Sequence, residues 1–185
     1  MVEVSIITPC YNSDKTIGQA LISIKNQTFT NFEVIVVDDN SNDRSSEIIK
    51  SISSKDKRFK YFSFNKNLGV VKARNFALSR VNSKYIAFLD SDDIWKKDFL
   101  SLSLETHKKY KSGITHSPVI RFFKKNEKYY GKNFYFPKII NSKNILKKNN
   151  MVLSSVVIDK DLCGKINFEK IRPEDYALWC DLIIK

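Results

Sequence analysis

The chain has 185 residues, 42% of them apolar and 28% charged, a profile that fits one globular domain with its own core and excludes a disordered chain. Its formal charge of +12 favours anionic partners, but the lysines are scattered or paired and form no long basic block, so nucleic acid is excluded as the first reading. Three cysteines and two histidines, with no Cys-x-x-Cys pair, exclude a disulfide scaffold and a soft-metal cluster.

The elements alternate from the start. Glu3 to Thr8 is a β-branched run that predicts a buried strand, broken by Pro9-Cys10-Tyr11-Asn12. Its apolar part, Val4 to Ile7, is too short for a signal peptide, so reduced thiols in a cytoplasmic chain are expected. Lys15 to Asn26 spaces Ile17, Ala20, Leu21 and Ile24 as a helix does. Phe32 to Val37 is a second buried strand, closed by the turn and N-cap chemistry of residues 38–43. Ser45 to Ser53 predicts a helix with Ile48, Ile49 and Ile52 inward. Phe59 to Phe64 predicts a third strand, Gly69 to Ser79 a helix after an Asn-Leu-Gly turn, and Tyr85 to Leu89 a fourth strand that ends at an acidic cluster. Strands and helices in this order predict an α/β fold with a mostly parallel central sheet and helices on both faces.

The second half is less regular. Asp98 to Lys109 predicts a helix, Thr115 to Phe123 a strand, and Met151 to Ile158 another strand. Lys124 to Asn150 is polar, aromatic and lysine-rich, and is expected to be an irregular insertion, a lid or a membrane-facing loop. Pro173 to Ile184 predicts a helix with proline at its first turn, and the chain stops at Lys185 in mid-pattern, which suggests a C-terminal truncation. No apolar stretch reaches the roughly 18 residues needed to cross a bilayer. The whole is expected to be one domain, residues 1–95 binding a nucleotide and residues 96–185 supplying the rest of the site.

Three predicted strands end in polar loops: residues 8–12, Asp38-Asp39-Asn40-Ser41 and Asp90-Ser91-Asp92-Asp93. In an open parallel sheet, ligands bind beyond the carboxyl ends of the strands, so these loops are expected to share one site. Three carboxylates in four residues repel one another unless a cation or donors neutralise them, and carboxylates without nearby His or Cys suit Mg²⁺ or Mn²⁺ carried with phosphates. Taken alone, such a cluster is more simply a solvated acidic turn. Its place after a buried strand, beside two other polar loops, favours a metal and diphosphate site formed by Asp90, Ser91, Asp92 and Asp93. Asp38-Asp39 could meet a nucleoside or merely cap a helix. Lys72 and Arg74 put cations near a helix start, a natural anion site, though an exposed arginine is the plainer reading. Glu174 and Asp175 are either carboxylates of a second catalytic group or acids complementing a helix dipole.

Four motifs, at residues 8–12, 27–45, 67–78 and 85–93, together with Arg172-Pro173-Glu174-Asp175-Tyr176-Ala177-Leu178-Trp179, resemble in order and spacing the family 2 glycosyltransferases of the GT-A fold. The resemblance implies a metal-dependent, inverting transfer of a sugar from a nucleotide-sugar, commonly a UDP-sugar, to a glycan or lipid-linked acceptor in bacterial surface polysaccharide synthesis. It implies that Pro9 and Tyr11 line the nucleobase pocket and that Asp39 binds the base edge. Arg74 would reach the base or diphosphate, Asp90 the ribose or sugar, and Asp92, with Asp93 beside it, the metal. Asp175 would be the general base and Glu174 its neighbour. It leaves peripheral contact with the inner face of the cell membrane open. Two other readings compete: a nucleotidyltransferase, which normally carries a glycine-rich loop that Pro9-Cys10-Tyr11-Asn12 lacks, and a catalytically silent basic domain that binds a partner, membrane or glycan.

Overall fold

β1 (Val4–Cys10) is buried along its whole length, as is β2 (Phe32–Asp38), so neither strand has a polar face to turn to solvent. Runs of this kind belong in the middle of a parallel sheet covered on both sides. The computed structural model describes residues 1–125 and 128–184 and places them there. Between the two strands runs α1 (Ile17–Lys25), and after them α2 (Ser45–Ser53), β3 (Phe59–Ser63), α3 (Val70–Leu78), β4 (Tyr85–Phe88) and α4 (Phe99–Tyr110). The chain continues through β5 (Ile114–His116), β6 (Val119–Lys125), β7 (Lys128–Phe134), α5 (Ser142–Ile145), β8 (Val156–Asp159), α6 (Lys160–Cys163) and α7 (Glu174–Ile184).

Six strands form the main sheet in the order β3-β2-β1-β4-β8-β5. The first four are mutually parallel and β8 is antiparallel to both its neighbours, so the expected mostly parallel α/β sheet is present. The strands alternate faces with a period of two. Val4, Ile6, Val34, Val36, Ala87 and Leu89 pack on one side with α1, α2 and α4. Ile7, Ile35, Val37, Ile86 and Phe88 pack on the other with α3 and α7. Helix-facing residues read from the spacing are inside: Ile17, Ala20, Leu21, Ile24 and Ile49 are fully buried, and Ile48 and Ile52 partly so.

The second half departs from expectation in three places. The single strand expected over 115–123 is two strands in two sheets, because Pro118 has no N–H to donate and the ladder stops at Ser117, whose N–H donates to Ser155. The strand expected from Met151 starts only at Val156, since Ser155 turns back to bond the Val152 carbonyl and residues Leu153–Ser155 wind into a 3₁₀ turn. The insertion expected to be irregular from Lys124 to Asn150 contains β7, paired with β6 as a separate hairpin, and α5, closed by a reciprocal Asn141–Asn144 capping box. Residues 126 and 127 of that segment lie outside the described residues, as does Lys185.

Candidate active site

The parallel register sets Cys10 of β1 level with Asp38 of β2, and β4 runs beside them in the same direction. The three loops that follow therefore emerge at one edge. They are stitched to one another by short polar contacts. Asn12 and Asn40 take left-handed backbone conformations, with φ of 47° and 64°, which asparagine tolerates better than most residues. The Asn12 N–H donates to Ser41 Oγ at 2.9 Å, and Asn42 N–H donates back to Asn12 Oδ1 at 2.8 Å. Ser13 N–H meets Ser45 Oγ at 2.8 Å, and Asp14 N–H meets Asp43 Oδ2 at 3.0 Å. A hydroxyl pair, Ser13 Oγ and Ser91 Oγ at 2.8 Å, ties the first loop to the acidic turn.

The two aspartates that end β2 do different work. Asp38 accepts from the Ser41 N–H and hydroxyl and from the Tyr61 hydroxyl, so it closes its own loop. Asp39 is 3% exposed, and each of its carboxylate oxygens accepts a backbone N–H at 2.7 Å, from Leu68 and from Gly69. Those two N–H groups stand at the entry to α3, where Gly69 takes φ of 88°. Asp39 thus anchors the start of that helix, and what remains open on it is a second lone pair on each oxygen.

The acidic turn follows Leu89, which is fully buried. The Asp90 N–H donates to Ser154 Oγ at 3.1 Å. The Asp90 carboxylate accepts from Arg74 Nη2 at 2.7 Å, and the same guanidinium donates from Nη1 to Glu174 at 2.8 Å. Arg74 is 4% exposed, lies 5.2 Å from the Phe168 ring, and leaves its Nε without a hydrogen-bond partner. Arg74, for which a base or diphosphate contact is expected, here joins the acidic turn to the start of α7. Burial pushes the Asp93 carboxyl above its ordinary value; a hydrogen bond with Ser154 resists this, and the charges of Asp90 and Asp92 add to it. Asp92 is exposed at the edge.

Glu174 and Asp175 open α7, with Arg172-Pro173 before them in the cis form. Burial works to raise the Glu174 carboxyl, but a backbone hydrogen bond at the helix start and the Arg74 guanidinium together hold it below its ordinary value. Asp175 accepts from the Asn149 side chain at 3.3 Å and from the Tyr176 N–H at 2.7 Å. Beside Glu174 opens a cavity of about 1050 Å³, lined on one wall by Leu68, Val71 and Lys72 of the α3 entry and on the other by Phe168, Lys170 and Arg172. Lys72 is exposed there, in the first turn of α3. Pro9 is buried within β1, and Tyr11, 46% exposed, stands at the edge just past it.

Ser154, Asn149, Phe168 and Asn75 escape a sequence reading. Ser154 receives the Asp90 N–H, and its carbonyl accepts the Trp95 indole N–H at 2.6 Å. Asn75 exchanges two hydrogen bonds with the Phe168 backbone, which seats that ring under Arg74. The only local sign of Ser154 is a pair of serines inside an apolar run. The thiols of Cys10 and Cys163 are pushed up to about 11 by burial, which favours the protonated thiol over the thiolate at neutral pH.

Among the described residues, no group of three or more His, Cys, Asp or Glu side chains is gathered to hold a metal ion. Asp90 is committed to Arg74, and Asp92 offers an exposed carboxylate. Such a donor set fits a hard cation that arrives with phosphates and keeps most of its ligands from them and from water, rather than one caged by the protein.

A model of glycosyl transferase family 2 matches residues 5–164 of the chain. UDP-Glc:alpha-D-GlcNAc-diphosphoundecaprenol beta-1,3-glucosyltransferase WfgD of Escherichia coli is 33% identical over 182 residues, 97% of this chain and 69% of that protein. The putative teichuronic acid biosynthesis glycosyltransferase TuaG of Bacillus subtilis is 32% identical over 183 residues, 98% of this chain and 72% of that protein. Among solved structures, S. aureus TarS in complex with UDP superposes with a TM-score of 0.70 at 26% identity, over 90% of this chain and 50% of that one. The chain thus spans about seven-tenths of these curated relatives and half of that solved chain.

Proposed function

The chain belongs to glycosyl transferase family 2, and on that premise we propose that it transfers a sugar from a UDP-sugar to a hydroxyl of a lipid-diphosphate-linked saccharide in bacterial surface polysaccharide synthesis, with inversion at the anomeric carbon. The observation that carries this reading is the Arg74 clasp. It joins Asp90, in the turn where donor phosphates are expected, to Glu174, next to the carboxylate that can act on the acceptor. The donor reading draws support from the UDP complex of TarS, and the acceptor reading from the diphosphoundecaprenol substrate in the name of WfgD.

In this reading Tyr11, Pro9 and the open lone pairs of Asp39 receive the nucleobase, and Asp90 and Ser91 face the ribose or sugar. Asp92, with Asp93 beside it, would hold Mg²⁺ or Mn²⁺, and a divalent cation there offsets charge on a departing diphosphate. Asp175 takes the acceptor hydroxyl proton. The acceptor oxygen forms its bond to the anomeric carbon from the face opposite the phosphate, and the carbon–oxygen bond to UDP breaks with its electron pair leaving on the diphosphate. One displacement of this kind inverts the centre. Asn149 orients Asp175 through its hydrogen bond. The cavity beside Glu174 offers Lys72, Lys170 and Arg172 to an anionic acceptor and an apolar wall to its lipid.

Calorimetry with UDP, with and without Mn²⁺, tests the donor half. Metal-dependent binding that disappears in Asp92→Ala is the expected result, and no UDP binding in either condition refutes it. Nucleotide release with a short-chain lipid-diphosphate saccharide tests the acceptor half.

A further inference from the structure

The charge of this chain is not spread over it. Residues 106–158 hold twelve of the thirty-two lysines and arginines and one of the twenty acids, so this stretch carries +11 and all the rest carries +1. No single run is long enough to look like a basic block. The fold nevertheless gathers much of it into one region, the β6–β7 hairpin and the chain that follows to Lys148.

That hairpin forms a two-stranded sheet of its own and is not a member of the six-stranded sheet. The pairing Ile120↔Asn133 and Phe122↔Gly131 puts Ile120 and Phe122 on one face, and Gly131, which lacks a Cβ, lets the Ile120 side chain lie against it. Both are exposed, at 47% and 39%. Directly after the hairpin, Tyr135 and Ile139 are each 75% exposed and Leu146 is 61% exposed. Lys138, Lys143 and Lys147 lie between and beside them and are also exposed. Isolated apolar residues at a surface mean little. Here they alternate with cations within a segment almost devoid of acids, which is the composition that settles into the headgroup region of an anionic bilayer.

We propose that this region docks on an anionic lipid surface, with Ile120, Tyr135, Ile139 and Leu146 entering the headgroup layer and the lysines meeting lipid phosphates. The proposal rests on the reading that the acceptor is lipid-linked, because such an acceptor is held in a bilayer. Among the described residues no helix is long and apolar enough to cross a membrane, and this region offers a surface that would bring the site to that acceptor. Three of the four anchors are aliphatic, which favours the bilayer over nucleic acid, since isoleucine and leucine offer no ring for a base to stack on.

The experiment is sedimentation of the protein with vesicles of phosphatidylcholine alone or mixed with phosphatidylglycerol, with no acceptor or donor present. Binding to the mixed vesicles only, weakened by salt, is expected. The combined change Ile120→Ser, Tyr135→Ser, Ile139→Ser should weaken it at least tenfold, and Lys138→Glu with Lys143→Glu about as much, at about fivefold per basic residue. Circular dichroism and UDP affinity of both variants should match the parent, since none of these residues lies at the strand-end loops. No binding to mixed vesicles, equal binding to neutral ones, or preference for an RNA homopolymer over vesicles would overturn the proposal. Transfer to a short-chain, detergent-soluble acceptor is assayed separately. Transfer without vesicle binding refutes the docking surface and leaves the acceptor reading intact, whereas vesicle binding without such transfer refutes the acceptor and supports the surface.

Discussion

The two carboxylate platforms of the site are held in very different ways. On the proposed donor side, the loops after β1, β2 and β4 are crossed by a web of hydrogen bonds between 2.7 and 3.0 Å, in which Asn12, Ser13 and Asp39 each have two partners in a neighbouring loop or element. On the proposed base side, the start of α7 is reached by Arg74 from one direction and by Asn149 from another. A web tolerates the loss of a strand, but a clasp does not. The loops of the proposed donor platform are expected to keep their shape when one linking bond is lost, and the proposed base platform to be where loss of one link disables turnover.

The largest effect should follow Asp175→Asn. Removing the proton acceptor without changing shape should lower kcat by about 10²–10⁴ while calorimetry shows UDP affinity within about twofold. A collapse of UDP binding instead would move Asp175 to the donor side and erase the contrast. Arg74→Met comes next. It leaves Asp90 and Glu174 without their shared cation, and because both carboxylates are partly in water the loss should fall at or below the low end of the 3–5 kcal/mol seen for broken buried pairs, about 2–3 kcal/mol. Thermal unfolding should drop by about 4–12 °C, and kcat should fall more than UDP affinity. Weaker UDP binding with kcat unchanged would show that Arg74 serves the diphosphate and not the clasp.

Glu174→Gln sharpens the same point through pH. The folded carboxyl is held below its ordinary value of 4.5, so its contribution is complete above that pH and is lost as pH falls through the lowered value. Chemical denaturation should find the variant less stable than the parent by about 1 kcal/mol at neutral pH, with the two converging in acid. A gap that widens as pH falls would contradict the sign. The smallest effect belongs to the web. Ser13→Ala removes the Ser13–Ser91 bond, and should cost about 0.5–1 kcal/mol with UDP affinity changed less than about threefold.

The strand-end loops were legible early because each sits in a local signal: a buried run, then a turn, then a helix start. Asp38-Asp39 follow four β-branched residues, and Asp90 to Asp93 follow a strand whose side chains are all buried. The second half offered no such regularity. The serines of residues 151–158 suited a strand and a turn equally, and a local hydroxyl-to-carbonyl bond decided for the turn. Pro118 was a visible breaker, yet only the sheet shows that the chain changes sheets there.

What the sequence by itself determined was periodicity and chemistry: which runs are buried on both faces, which loops carry carboxylates, and which motifs recur in family order. These follow from side-chain type and spacing, which no distant contact alters. Only the tertiary structure decided partnership. Arg74 has the same composition whether it faces a phosphate or lies buried between Asp90 and Glu174, 16 and 100 residues away. Burial gives the partnership its reason: a guanidinium 4% exposed needs opposite charge close by, and the fold brings two carboxylates to it.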